Sequence, residues 1–188
     1  SSVPPEVALA RVQREAAATP QEAVIALSVA GSASHAVEFL SSPGRRQVRR
    51  LVVSTLDQLA RDDSWDVLQA ARQIVEEAKL PLADVAAAQK EALDESSDFL
   101  TAAALKQLED ANKRELSARE RSGMMEVLAA TESVLRDALV RCEDVSRKIV
   151  NEDAAAAIER IAAATGVGGV TRALAACSAA ALKQLEDA

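Results

Sequence analysis

A chain of 188 residues that is 49% hydrophobic can form one large or two small domains, yet only 2% of it is aromatic and its net charge is −7. Three aromatic rings on an acidic chain exclude recognition of single strands or RNA by base stacking, and the charge disfavours nucleic acid or an anionic membrane as the dominant partner of the isolated chain. One histidine, no tyrosine and two distant cysteines leave most catalytic constellations without members, so no enzyme activity and no small-molecule substrate are expected.

After Pro4-Pro5 a helix is expected to about Ala18, with Val7, Leu9, Ala10 and Val12 among its apolar residues. Thr19-Pro20-Gln21-Glu22 reads as an N-cap, a proline at the first helical position and an acidic first turn. The helix it opens carries Val24, Ile25, Leu27 and Val29 and should stop at Gly31, followed by a short helix from Ser32 to about Ser41. Ser42-Pro43-Gly44 marks a boundary, beyond which the helices lengthen and the charge changes. Residues 42–61 hold five arginines against one aspartate, whereas residues 62–110 hold twelve acids against four bases.

In the next helix Val48, Leu51, Val52, Leu56 and Leu59 are placed on one face and Arg46, Arg49 and Arg50 on the other. Asp63-Ser64 should cap a further helix with Leu68, Ala71, Val75 and Ala78 at helical spacing, ended by Lys79-Leu80-Pro81. One or two helices then fill residues 81–120, with the acidic Asp94-Glu95-Ser96-Ser97-Asp98 as the expected interruption. The polar stretch Lys113–Ser122 reads as a solvated helix end or connector.

The clearest periodic signal follows. Leu128, Leu135, Cys142 and Ile149 recur every seven residues, with Thr131, Ala138 and Val145 between them, which predicts a bundle seam about seven turns long. Leu128, Leu135, Val145 and Ile149 are therefore the candidate packing or oligomer face. Asn151 reads as an N-cap, with Glu152 and Asp153 at the positive end of the next helix. Gly166, Gly168 and Gly169 should separate that helix from a last one carrying Val170, Leu174, Cys177 and Leu185.

No strand pattern appears, so the chain is expected to be all-α: a helical bundle over 42–188 preceded by a small three-helix unit over 1–41. AAALKQLEDA occurs at 102–111 and again, identically, at 179–188, but the flanks do not match, so no repeat architecture follows. A chain opening on Ser1-Ser2 reads as a piece of something longer. Without a basic leader and an apolar run of roughly 18 residues, neither secretion nor a membrane span is expected. The cysteines on apolar stripes suit reduced thiols in the cytoplasm.

Among candidate sites, His35 has no nucleophile or carboxylate pattern around it and reads as an ordinary helical histidine. Two cysteines without a second histidine or a C-x-x-C predict no metal site. Gly166-Val167-Gly168-Gly169 follows no strand and precedes no Lys-Ser/Thr, so it reads as a helix break and not a phosphate loop; no cofactor is expected. The acid clusters Asp62-Asp63 and Glu76-Glu77 read as solvated faces. Arg45, Arg46, Arg49 and Arg50 read first as a solvent-facing stripe, with a phosphate clamp or an acidic partner subunit as alternatives.

Three stretches resemble a known family. Gly31-Ser32-Ala33-Ser34-His35-Ala36-Val37-Glu38-Phe39-Leu40 is similar to the end of a AAA+ lid. Leu105-Lys106-Gln107-Leu108-Glu109, with Lys113-Arg114 and Arg119, is similar to the basic connector of a collar domain. Leu135-Arg136-Asp137-Ala138-Leu139-Val140, followed by Val150-Asn151-Glu152-Asp153, is similar to a collar's long helix and the turn after it. Together they resemble the C-terminal region of delta-prime subunits of bacterial DNA polymerase III clamp loaders, in the actinobacterial form.

The resemblance implies the end of a lid over 1–41 and a collar, or oligomerisation domain, over 42–188. Its implied partners are the gamma/tau and delta subunits of a loader that places the sliding clamp on primed DNA, with DNA contact only inside the assembled complex. Helices near 42–80 and 123–150 are the expected contributors. ATP-hydrolysing relatives are expected to have Gly-Ser-x-Arg, whose arginine reaches the nucleotide; here the position is Ser34, followed by His35, a degenerate sensor with no fixed charge. The alternative from another class is a free-standing helical adaptor or regulator that binds a partner helix in a groove.

Overall fold

The computed structural model describes residues 4–61, 64–144 and 146–186, with residues 64–66 described by backbone alone. Seven α-helices and one 3-10 turn account for nearly all the described residues, and no strand occurs among them. The fold is all-α.

Helix α1 (Pro5–Ala16) closes on Ala17 in the left-handed conformation. α2 (Pro20–Ala30) opens on the expected cap in its reciprocal form. Glu22 N donates to Thr19 Oγ1 at 3.2 Å, while Thr19 N donates back to Glu22 Oε2 at 2.8 Å. Gly31, at φ 71, ends that helix. Ser32 caps α3 (Ala33–Ser41), and Ser42 caps α4 (Pro43–Leu59) ahead of its first-turn proline. The first three helices do not stand apart. Val12, Ala23, Ala26, Val29, Ala36 and Phe39 form one core with Val48 and Val52 of α4, Ile74 of the fifth helix and Ala130 of the sixth.

Two breaks expected from the sequence do not occur. α5 (Ser64–Ser96) runs straight through Pro81, although a proline inside a helix costs about 3 kcal/mol in lost bonding and crowding. What offsets that cost is packing on both sides: α5 lies against α4 and then against α6 (Ala102–Glu143). The Asp63 part of the cap expected before α5 lies outside the described residues. The expected interruption at Asp94–Asp98 is present, because α5 ends at Ser96 and Thr101 caps α6.

The polar stretch Lys113–Ser122 is likewise no connector. It is continuous helix within α6, built from strong helix formers and braced by Arg119–Glu115 at 2.7 Å, Lys79–Glu120 at 2.6 Å and a Gln89–Glu115 hydrogen bond at 2.9 Å. Beyond Pro81 and Glu120 the two helices form a hairpin arm held by its own seam. Half-buried Leu82, Val85 and Leu93 lie on α5, and Leu105, Leu108 and Leu116 lie on α6.

The seven-turn seam is also corrected. α6 ends at Glu143, and Asp144 halts it by accepting hydrogen bonds from Ser146 N at 2.9 Å and Ser146 Oγ at 2.7 Å, a local competitor to the helix. Leu135 is buried, Leu128 and Cys142 are half-buried, and Val145 lies outside the described residues. Ile149 is buried in the same second core, with Val134, Leu135, Ala138, Ile158 and Val170, but from an irregular segment.

A 3-10 turn (Glu152–Ala154) leads into α7 (Ala155–Glu186), which breaks at Gly166 (φ 63, ψ 174), a conformation that favours glycine. Gly168 and Gly169 lie inside the second limb, so one glycine makes the break expected of three. α7 packs along α6, yet by length and composition it is apolar enough to cross a membrane, with a window of mean hydropathy 1.2. No uninterrupted apolar run of roughly 18 residues occurs in it, because Glu159, Arg160, Arg172 and Lys183 divide it.

Candidate functional site

The most constrained polar chemistry in the molecule joins three distant segments. Arg49 is 8% exposed on α4 and Asp137 is 4% exposed on α6, while Asn151 is fully buried ahead of the 3-10 turn. Arg49 grips Asp153 with two parallel bonds, Nη1 to Oδ2 at 2.7 Å and Nη2 to Oδ1 at 2.8 Å, and Nη2 also donates to Asn151 Oδ1 at 2.8 Å. Asn151 Nδ2 donates to Asp137 Oδ2 at 2.8 Å and to Ser133 Oγ at 2.9 Å. The Asp137 carboxylate also accepts from the backbone N–H groups of Val150 at 3.0 Å and Asn151 at 2.7 Å.

The lock extends to the first helices. Ser28 Oγ lies 3.1 Å from Ser133 Oγ, and Gln21 Nε2 donates to Val150 O at 2.6 Å. Asn151 does hold the expected N-cap position, ahead of the 3-10 turn, but its side chain makes no cap bond and instead satisfies both of its polar ends inside the protein. Each buried side chain has at least one counterpart, the condition under which buried charge is tolerated, although Arg49 Nε is left without a partner. Through Asp153, whose side chain is half exposed, such a cluster reaches solvent. Its chemical capacity is to fix geometry: it ties α2, α4, α6 and the turn before α7 into one arrangement.

The four arginines do not share a stripe. Arg49 faces inward, beside Val48 and Val52, and Arg45 is half-buried between Glu38 at 3.4 Å and Glu126 at 3.3 Å. Only Arg46 and Arg50 are exposed, and Arg50 holds Gln47 Oε1 through Nε at 3.0 Å and Nη2 at 2.7 Å. A four-arginine phosphate clamp is therefore not assembled, because Arg45 and Arg49 are committed to acids of the same chain. Burial raises the pKa of Glu126, opposed by Arg45 and His35. Ser34 and His35 are exposed on α3, and the His35 backbone N–H completes the Ser32 cap.

A second tie sits at the far end of α4. Arg160 of α7 donates to Asp57 through Nε at 2.7 Å and Nη2 at 3.0 Å, and Arg61 adds a bond at 3.1 Å. The Arg160 hydrogen bonds hold the Asp57 carboxyl below the usual carboxylate range. Cys142 and Cys177 are free and half-buried along the α6–α7 seam; burial pushes the Cys177 thiol up, and the Glu132 carboxylate adds to it. Among the described residues no three His, Cys, Asp or Glu side chains converge as metal ligands. A cavity of about 80 Å³ beside Arg45 and Arg49 is walled by Val29, Phe39, Val48 and Leu82. That is far below the roughly 300 Å³ at which drug-sized ligand pockets begin.

The apolar surface is concentrated elsewhere. Phe99 is 86% exposed, and Leu68, Leu80, Leu182 and Leu185 are each more than half exposed. Sequence reasoning missed the inward turn of Arg49, although its signal was present: positions 45, 48, 49, 52 and 56 follow helical spacing, which puts Arg49 inside the apolar stripe. Compared with protein-family models, with curated proteins and with solved structures, the chain matches none.

Proposed function

We propose that this chain is the non-catalytic assembly region of a bacterial clamp-loader subunit of the delta-prime type. In this reading residues 1–41 are the end of a AAA+ lid and residues 42–188 the collar that holds gamma/tau and delta subunits together while the sliding clamp is loaded on DNA. The work is cytoplasmic, needs no cofactor of its own, and meets DNA only within the complete assembly.

One observation supports this reading above the others: the lid-like helices and the long helices share a core, and α2 is tied to the distant segments through Gln21–Val150 and Ser28–Ser133, where Ser133 also holds Asn151. A unit that must pass geometry from an ATPase ring to a collar needs such a rigid joint, and it needs no reactive group at Ser34 or His35. The bidentate Arg49–Asp153 pair braces the long-helix side of that joint.

The test is reconstitution. Purified chain mixed at micromolar concentration with gamma/tau and delta subunits of the same organism should co-elute with them as one stoichiometric complex. Separate elution of all three would overturn the reading and favour the free-standing adaptor. Ser34→Arg should leave the chain without ATP turnover; measurable hydrolysis would contradict a non-catalytic role.

A further inference from the structure

We propose that the tip of the α5–α6 hairpin is a protein-docking plug, in which Phe99 enters an apolar socket bordered by lysines or arginines on a neighbouring subunit. This rests on the assembly reading above and gives that assembly a specific contact.

The chain has only two phenylalanines and one tryptophan. Phe39 is buried in the first core, whereas Phe99 is 86% exposed at the point of the arm furthest from the body, beside Leu100 at 40%. From Pro81 to Ser96 the arm extends about 24 Å at the helical rise of 1.5 Å per residue. An aromatic ring is the side chain that gains most from a socket, and aromatic anchors dominate interface energetics.

The ring is also presented in a defined way. Phe99 N and Leu100 N both donate to Ser96 O at 3.1 Å. Ser97 Oγ donates to Asp94 O at 2.7 Å, and Ser96 Oγ donates to Ala92 O at 2.6 Å. Thr101 then caps α6. The backbone on both sides of Phe99 is therefore ordered before any partner arrives, which lowers the entropy lost on docking.

Charge identifies the partner's chemistry. Between Lys90 and Lys106 the chain has Glu91, Asp94, Glu95 and Asp98 and no cation. An anionic membrane or nucleic acid would be repelled by such a tip, and a second acidic tip would be too. A protein socket with a basic rim is the complement that both the ring and its acids fit.

The test measures binding of the full chain to immobilised gamma/tau and delta subunits. Phe99→Ala and Phe99→Asp should each weaken association at least ten-fold, Leu100→Ala less, and Asp98→Lys should weaken it most at low salt. Wild-type affinity in both Phe99 variants would overturn the plug and leave the assembly reading standing. No binding by the wild-type chain would remove that reading and the plug's partner with it. A Phe99-dependent dimer in sedimentation, without subunit binding, would overturn the proposal by giving the tip to a second copy.

Discussion

The body and the arm of this molecule are stabilised in opposite ways. In the body, two apolar cores and a buried polar lock draw on residues up to 129 positions apart, as in the Gln21–Val150 contact. The arm beyond Pro81 contributes no residue to either buried core; its seam is half-buried and its braces are exposed ion pairs. Exposed pairs contribute little, typically under about 1 kcal/mol each. The body is thus built to keep one geometry, whereas the arm is built only well enough to reach outward.

The strongest way to break this contrast is Asp137→Ala. It leaves the N–H groups of Val150 and Asn151 and the Asn151 amide without their acceptor, and should cost about 3–5 kcal/mol in urea unfolding. Close behind, Ile158→Ala in the second core should cost about 2–5 kcal/mol. The matching Leu93→Ala in the arm should cost less, with faster hydrogen exchange confined to residues near 85–110. A global loss equal to that of Ile158→Ala would show that arm and body are one cooperative unit.

Two smaller effects sharpen the picture. Gly166→Ala places a side chain at φ 63 and should cost about 1 kcal/mol in thermal unfolding, although nothing lies within 4 Å of the added methyl. Asp57→Asn should cost about 0.5–1 kcal/mol at pH 7. Because the folded pKa of Asp57 lies below its unfolded value, the wild-type advantage is complete above about pH 4. It fades as pH falls through the depressed folded value, where the two melting curves should converge.

How much of this was legible in the sequence depends on the range of the interaction. Thr19 with Glu22, and Ser32, act within four residues, and those helix starts fell where the sequence placed them; Ser42 before Pro43, read only as a boundary, caps α4 in the same way. Pro81 and Lys113–Ser122 misled because each local signal was overridden across the hairpin, by packing in one case and by Lys79–Glu120 and Gln89–Glu115 in the other. Ile149 kept the seven-residue rhythm and its burial but lost its helix to Asp144 and Ser146. Asn151 and Arg49 could not be paired from spacing, since 102 residues separate them.

The half-buried thiol of Cys177 carries a practical corollary. Raised by burial and by Glu132, it holds little thiolate at neutral pH, and thiolate is the form that alkylating reagents attack. Its modification should therefore be slow beside that of an exposed thiol, and conditions that open the α6–α7 seam should speed it.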